Sequence, residues 1–277
     1  RMAWGGLFDT VHGGFSRYSV DMKWHIPHFE KMLYDNALLL KVYADAYKRT
    51  KSTSYLEVIK KTISFLKDEL MCENGGFYSA LDADSLDHDN QLTEGAFYVW
   101  KIEELKSLIQ EDYDLFEQVF NINSYGFWED DNYVLIQNDN LESFANKNNI
   151  SLEELITKKR SWEIILKNHR NKRSKPRLDD KIITSWNAML LSAFSHANSI
   201  LNNDELTNII LKLEKFISNQ LTNENFELGH TFKNNELYID GLFEDYAFTI
   251  QAYIDLYTNT LNEAFINQAK SYTNVAF

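Results

Sequence analysis

Hydrophobic and polar positions fall along this chain in two distinct helical patterns. In residues 29–47, Phe29, Met32, Leu33, Ala37, Leu38, Leu39, Leu40, Val42, Tyr43, Ala46 and Tyr47 leave almost no polar face. Residues 186–197 repeat this with Trp186, Ala188, Met189, Leu190, Leu191, Ala193 and Phe194, and residues 246–257 with Tyr246, Ala247, Phe248, Ile250, Ala252, Tyr253, Ile254 and Leu256. Helices apolar nearly all round are buried on both sides. The segments that follow are one-faced. Tyr55, Ile59, Ile63, Leu66 and Leu70 recur at helical spacing, as do Leu206, Ile210, Leu213, Ile217 and Leu221. Buried helix then covering helix, repeated, predicts two concentric layers. Helices 29–47, 182–200 and 243–259 belong inside, and 55–70 and 205–221 outside.

Weak internal repetition extends the picture. Asn36-Ala37-Leu38, Asn187-Ala188-Met189 and Tyr246-Ala247-Phe248 each open an inner helix, and GGFSRYSVD at 13–21 rhymes with GGFYSALDADS at 75–85. Such self-similarity argues for a ring of helical hairpins, an all-α two-layer barrel forming one domain over 1–277. Short β arms are expected in its loops, with EGAFYVW at 94–100 pairing with 76–81 and YVLIQ at 133–137 as a further strand. Residues 101–121 and 151–170 read as helices. The basic run from Lys167 to Arg177 reads as a solvated loop, where Pro176 opposes unbroken helix.

Composition narrows the partners. The 277 residues carry 28 Lys+Arg against 41 Asp+Glu, a net charge of −13 and a pI near 5.0. That balance repels polyanions, so neither nucleic acid nor an anionic membrane surface is an expected partner. The single cysteine, Cys72, excludes an internal disulfide, a Cys-rich zinc site and a CxxC centre. The absence of a basic-then-apolar leader points to a cytoplasmic protein. Two prolines and ten glycines favour long helices over turn-dense β folds, and 14% aromatic residues suit helix packing or a sugar-stacking cleft.

Three constellations could carry chemistry. WHIPHFEKMLYDN at 24–36 gathers His25, His28, Glu30, Asp35 and large aromatics, but Pro27 breaks the spacing a zinc helix needs. Asp82, Asp84, Asp87, Asp89 and Glu94 fail the EF-hand pattern, since Asp87 stands where glycine is required. No metal and no cofactor are therefore expected. KPRLDDKIITSWNA at 175–188 and FEDYAF at 243–248 each bring carboxylates and aromatics to the start of an inner helix, where helix capping is the simpler role. GxSxG, P-loop and GxGxxG motifs are absent.

Longer strings are more specific. GGFSRYSVDMKWHIPHFEKMLYDNALLL, GGFYSALDADS, EGAFYVW, KPRLDDKIITSWNA and FEDYAFTIQAYIDLY occur in an order that resembles the thioredoxin-domain-containing, spermatogenesis-associated-protein-like family over nearly all 277 residues. The resemblance implies an (α/α)6 barrel, the six-hairpin toroid of glycosidases and N-acylglucosamine 2-epimerases. It also implies a thioredoxin-like domain as partner in the full-length family. About ten helices can be counted where a full ring needs twelve, so an incomplete toroid, a fragment of a longer chain, is expected.

The expected function is that of a carbohydrate-active domain acting on a small-molecule sugar, by epimerisation, isomerisation or glycoside hydrolysis. Hydrolysis needs two carboxyl groups at a set separation, drawn from Asp35, Asp82, Asp84, Asp180, Glu244 and Asp245. Epimerisation needs a base near neutral pKa, with His28 the first choice and His230 the second. Trp24, Tyr34, Tyr78 and Trp186 would stack on sugar faces, while Arg17, Arg177, Asn36 and Asn187 would bind hydroxyl or acid groups. Asp35, Asp180, Asp245 and the 78–84 loop are expected to share one pocket at the inner-helix N-termini, with Glu244 or Asp82 as the acid. The alternative is a non-catalytic helical module that binds a ligand or protein for the thioredoxin-like domain. Carboxylates scattered into ion pairs would favour it.

Overall fold

The computed structural model describes residues 1–137 and 140–276. Among them ten α-helices follow in chain order: α1 (Leu33–Thr50), α2 (Thr53–Phe65), α3 (Ile102–Ile109), α4 (Tyr113–Val119), α5 (Leu141–Lys147), α6 (Leu152–Arg170), α7 (Thr184–Leu201), α8 (Asp204–Gln220), α9 (Phe243–Thr260) and α10 (Glu263–Ala276). The chain divides into two compact units. One is built from residues 1–31 and 81–177, the other from 32–80 and 178–276.

The second unit is three helical hairpins, α1/α2, α7/α8 and α9/α10, whose first helices pack side by side with α7 in the middle. Small residues make this possible. Ala188, Ser192, Ala193, Ser195 and Ala197 are buried on α7 and let neighbours approach from both sides. The predicted covering helices do cover: Ile59, Leu66, Leu213 and Ile217 are buried. Each such side chain contributes about 1.5–3 kcal/mol, far more than any one surface contact. All three inner helices end alike. Lys51, Asn202 and Leu261 adopt left-handed φ, and each bonds its N–H to the carbonyl four residues back.

Two sequence expectations need correction here. α7 is the most fully buried of the three, because α1, α8 and α9 all pack against it. Leu38 and Val42 of α1 and Phe243 of α9 are 47%, 60% and 67% exposed. Helix 29–47 also begins late, at Leu33, because 31–32 is extended and Leu33 N–H donates to the Ser79 carbonyl.

A polar clasp crosses the inner layer. Lys41 Nζ on α1 donates to Ser192 Oγ on α7 at 2.9 Å and to Asp255 Oδ2 on α9 at 3.0 Å. Gln251 donates to the other Asp255 oxygen. Burial pushes the Asp255 carboxyl up, but His196, Ser192 and Lys41 together outweigh it and hold it well below the usual range. Glu214 differs. It is buried against Tyr253, which donates to it, yet burial dominates and pushes its carboxyl up.

The first unit packs α3, α4, α5 and α6 around Trp100, Leu105, Phe116, Phe120, Leu155, Trp162 and Leu166. The predicted helix 101–121 is split between α3 and α4, where Gln110 takes a left-handed φ. The expected β arm is differently paired. Asp84–Leu86 pairs with Leu92–Glu94 as a hairpin, and Trp100–Lys101 pairs with Asn132–Tyr133.

The basic run is not a solvated loop. Arg170 ends α6 fully buried and makes a two-point contact with Asp9 at 3.0 and 2.8 Å, which also accepts from buried Lys31 at 2.9 Å. Arg173 donates to the carbonyls of Ala96, Phe97 and Val99 and to both oxygens of Glu104. These guanidiniums complete turns that lack other partners, so the run is anchored rather than hydrated. Lys172, Lys175 and Arg177 stay exposed as expected.

Two stability measurements check these networks. Burial pushes Asp9 up, but Arg170 and Lys31 outweigh it and hold its carboxyl far below the usual range. Its stabilisation is therefore complete above about pH 4 and lost as pH falls below that. Asp9→Asn should cost about 3–5 kcal/mol in urea titrations at pH 7, because two buried cations lose their anion, and should flatten the acid limb. Glu214, with its folded pKa raised, has the opposite sign: stability is full below about pH 4.5 and falls as pH rises. Glu214→Gln should remove that fall, seen as a flatter profile between about pH 5 and 7.

Candidate functional site

The N-terminal ends of α7 and α9 meet at one buried side chain. Asp245, at the third position of α9, accepts from the Leu242 N–H that begins its own helix at 2.8 Å. Its other oxygen accepts from the Ser185 N–H in the first turn of α7, also at 2.8 Å. One carboxylate thus caps two helices, each of which leaves N–H groups unpaired at its start. His230 completes the arrangement, with Nδ1 2.8 Å from Asp245 Oδ2. Because Asp245 is surrounded by N–H donors, Nδ1 is assigned as the donor, which leaves Nε2 with its lone pair free for chemistry.

His230 is held there by a hairpin. Strand Gly229–Lys233 pairs with Glu236–Asp240 across Asn234-Asn235, both with left-handed φ, as a two-residue turn requires. Thr184 Oγ1 donates to the Gly229 carbonyl at 2.5 Å, and the Leu228 N–H donates to the Tyr246 hydroxyl at 3.0 Å. Gly229 itself has no room for a Cβ, which would lie 2.6 Å from Leu237. The strand before His230 is thus fixed on both sides.

Beside this dyad stands Glu244, exposed, with Oε1 3.4 Å from Ser185 Oγ; Trp186, the next residue of α7, packs its ring against Tyr34 with centroids 4.9 Å apart. A cleft of about 610 Å³ borders the same hairpin, lined by Gly229, Leu237, Asp240, Phe243 and Tyr246 among others. His230, Glu244 and Asp245 have ligand atoms within 4.8 Å of one another. Both Asp245 oxygens already accept N–H groups, so this set is a hydrogen-bonded relay before it is a cation cage.

The sequence-predicted residues divide between the two units. In the second unit the structure brings Glu244 to Asp245 and Tyr34 to Trp186. Asp35 lies half-buried in the first turn of α1, and Tyr78 is half-buried, with burial pushing its hydroxyl up. Asp180 is instead exposed and bound to Lys233 at 2.6 Å, whose hydrogen bond holds the carboxyl below its usual range.

Two substrate-binding assignments are corrected. Asn36 and Asn187 are completely buried. Asn187 exchanges hydrogen bonds with the backbone of Phe77 and donates to the Ile183 carbonyl, while Asn36 donates to the Met32 carbonyl. Their amides replace missing backbone partners, which is why they recur at inner-helix starts. Asp245, equally buried, can act only through His230.

In the first unit His28 and Arg17 come together. His28 stacks on Tyr18, its Nδ1 lies 2.7 Å from Glu94 Oε1, and Glu30 pairs with Arg17 at 3.0 Å. Both faces of His28 chemistry are thereby occupied: Nε2 also faces Glu30 at 3.7 Å. Asp82 pairs with Arg177 at 3.3 Å, Asp84 lies in a hairpin strand, and Trp24 is 37% exposed with a left-handed φ. Of the two histidines expected as a base, His230 rather than His28 has a ring nitrogen with no carboxylate paired to it among the described residues, and Thr184 and Ser185 are supporting residues that sequence reasoning did not single out.

Comparison with known structures gives the fold. The cellobiose 2-epimerase of Bacillus thermoamylovorans B4167 matches with a TM-score of 0.58 at 14% identity, over 97% of this chain and 50% of that one. A UGL variant solved with dGlcA-Glc-Rha-Glc matches with a TM-score of 0.50 at 11% identity, over 99% of this chain and 52% of that one. The chain thus shares the helical fold of sugar-processing enzymes.

Sequence comparison gives the kin. Human spermatogenesis-associated protein 20 is 32% identical over 301 residues, and its rat counterpart 30% over 297, each match covering 97% of this chain and 38% of the relative. The chain therefore spans well under half the length of the curated relatives it matches. No family model matches it. No helix among the described residues is long and apolar enough to cross a membrane.

The relay makes a direct prediction. Asp245→Asn should destabilise the protein by about 1–3 kcal/mol, through loss of a buried charge-assisted acceptor. The imidazole NMR signal of His230 should at the same time lose its single-tautomer pattern. An unchanged His230 signal would show that Asp245 does not orient the ring.

Proposed function

We propose that this chain is a sugar-processing domain that epimerises or isomerises a sugar, with His230 as the proton-transfer base. The observation that carries the reading is the His230–Asp245 dyad beside Glu244, at the shared start of α7 and α9. Epimerisation next to a carbonyl breaks a C–H bond. The base takes the proton, an enediolate forms, and a proton is then delivered to the opposite face of the same carbon for epimerisation or to the neighbouring carbon for isomerisation. An imidazole held in one tautomer by a buried carboxylate suits the abstraction step, and such bases contribute about 10²–10⁴-fold. Tyr34 and Trp186 offer ring faces for sugar C–H groups.

Hydrolysis is the weaker reading. It needs two available carboxyl groups, and Asp245 is engaged by three donors while Asp180 is ion-paired. The fold likeness to a cellobiose 2-epimerase supports the same choice by analogy. The six-hairpin toroid and the thioredoxin-like partner domain belong to this proposal as implications of the resemblance, and the single domain over 1–277 and cytoplasmic action as expectations from the sequence. The binding-module alternative draws on Asp180 and Asp82, both in ion pairs.

The test is solvent exchange. Protein incubated with cellobiose and a panel of aldoses in D2O should place deuterium at the carbon next to the carbonyl. His230→Gln should reduce this at least about 100-fold, whereas His28→Gln should leave it within about twofold. Sugar binding without any exchange would favour the binding module instead.

A further inference from the structure

The charges around His230 select among sugars. Glu244 is exposed beside the dyad, with Ser185 Oγ 3.4 Å from its Oε1. Asp240 pairs with Gly229, so by strand alternation its side chain leaves the face opposite His230 and belongs to the bordering cleft rather than to the dyad. Asp245 is the second negative group, behind the imidazole. The lysines carried by the flanking strands do not offset these. Lys233 is three residues from His230, so its side chain leaves the opposite face of the strand, and Asp180 holds it at 2.6 Å. Lys181 pairs with Asp179 at 3.2 Å. An anionic sugar arriving here would meet the Glu244 carboxylate, while Lys233 and Lys181 on the flanking strands are already ion-paired.

We infer that the site takes an uncharged sugar and that Glu244 is a specificity residue which disfavours sugars bearing a carboxylate or phosphate. The inference rests on the sugar reading of the site given above. Like charges a few ångströms apart in a partly solvated cleft repel strongly enough to weaken binding about tenfold or more, and salt screens that repulsion.

The test follows the His230 ring resonances, identified by their loss in His230→Gln, during titration of the intact chain. The probes are glucose and cellobiose as neutral sugars, with glucuronate and glucose 6-phosphate as their anionic counterparts. The neutral sugars should shift the signal, and the anionic ones should bind at least about tenfold more weakly at low salt. The gap should narrow in about 0.5 M salt and in Glu244→Gln. Glucuronate binding as tightly as glucose would overturn the inference and leave the sugar reading standing. A gap unchanged by Glu244→Gln would remove Glu244 from the selection. If neither class of sugar moves the resonance, the sugar reading itself fails, and the inference fails with it.

Discussion

Asp245 joins parts of the chain that are otherwise far apart in sequence. The carboxylate cannot be hydrated in its buried position, so the N–H donors of Leu242, Ser185 and His230 are its means of satisfaction. Those donors in turn belong to the start of α9, the start of α7 and the hairpin between α8 and α9. Because helix N-termini need acceptors, the capping requirement brings α7 and α9 to a common level. The same requirement places a carboxylate where it fixes the tautomer of the His230 imidazole. The capping of two helices and the orientation of the His230 ring share a single carboxylate, and any change there alters both.

The inner layer obeys the same logic at a second level. Lys41, Ser192 and Asp255 lie on three neighbouring helices, and their hydrogen bonds set the helices' register in a way that apolar packing alone does not. Apolar contacts tolerate sliding, whereas a lysine, a hydroxyl and a carboxylate meet at only one offset. The network also explains how α7 can be the most fully buried of the three while carrying Ser185, Ser192 and Ser195. Ser192 donates to Asp255 Oδ2, and Ser195 accepts from Asn259.

Much of this was legible in the sequence, for physical reasons. The apolar runs of α7 and the one-faced spacing of α2 and α8 report burial directly, so the two layers of the second unit could be read from periodicity. Pairing partners could not. EGAFYVW alternates as a strand does, but alternation does not say which strand it meets, and Trp100–Lys101 pairs with Asn132–Tyr133. The run KNHRNKRSKPR looked solvated because charge usually is, yet Arg170 and Arg173 reach acceptors separated from them by long stretches of chain. His230 was undervalued for a similar reason. GHTFKNNELYID carries the Asn-Asn turn between alternating strands, which marks a hairpin. Its value to the site appears only once Asp245 is placed beside the ring. Asn36 and Asn187 show the converse, since an amide at a helix start has the same letters whether it grips a ligand or the neighbouring backbone.

The interleaving of the two units has a consequence for biosynthesis. The second unit uses residues 32–80 and then 178–276, with the first unit's segments before and between. On the ribosome α1 and α2 emerge first, but α7, against which α1 packs, follows roughly 150 residues later. At about 5–20 residues per second that interval is on the order of 10–30 seconds. During it the side of α1 that packs on α7 has no partner, and the sequence-distant contacts it awaits slow the final docking. The nascent chain thus carries an amphipathic hairpin with its buried face open for the whole synthesis of residues 81–177, a natural substrate for cellular holding factors.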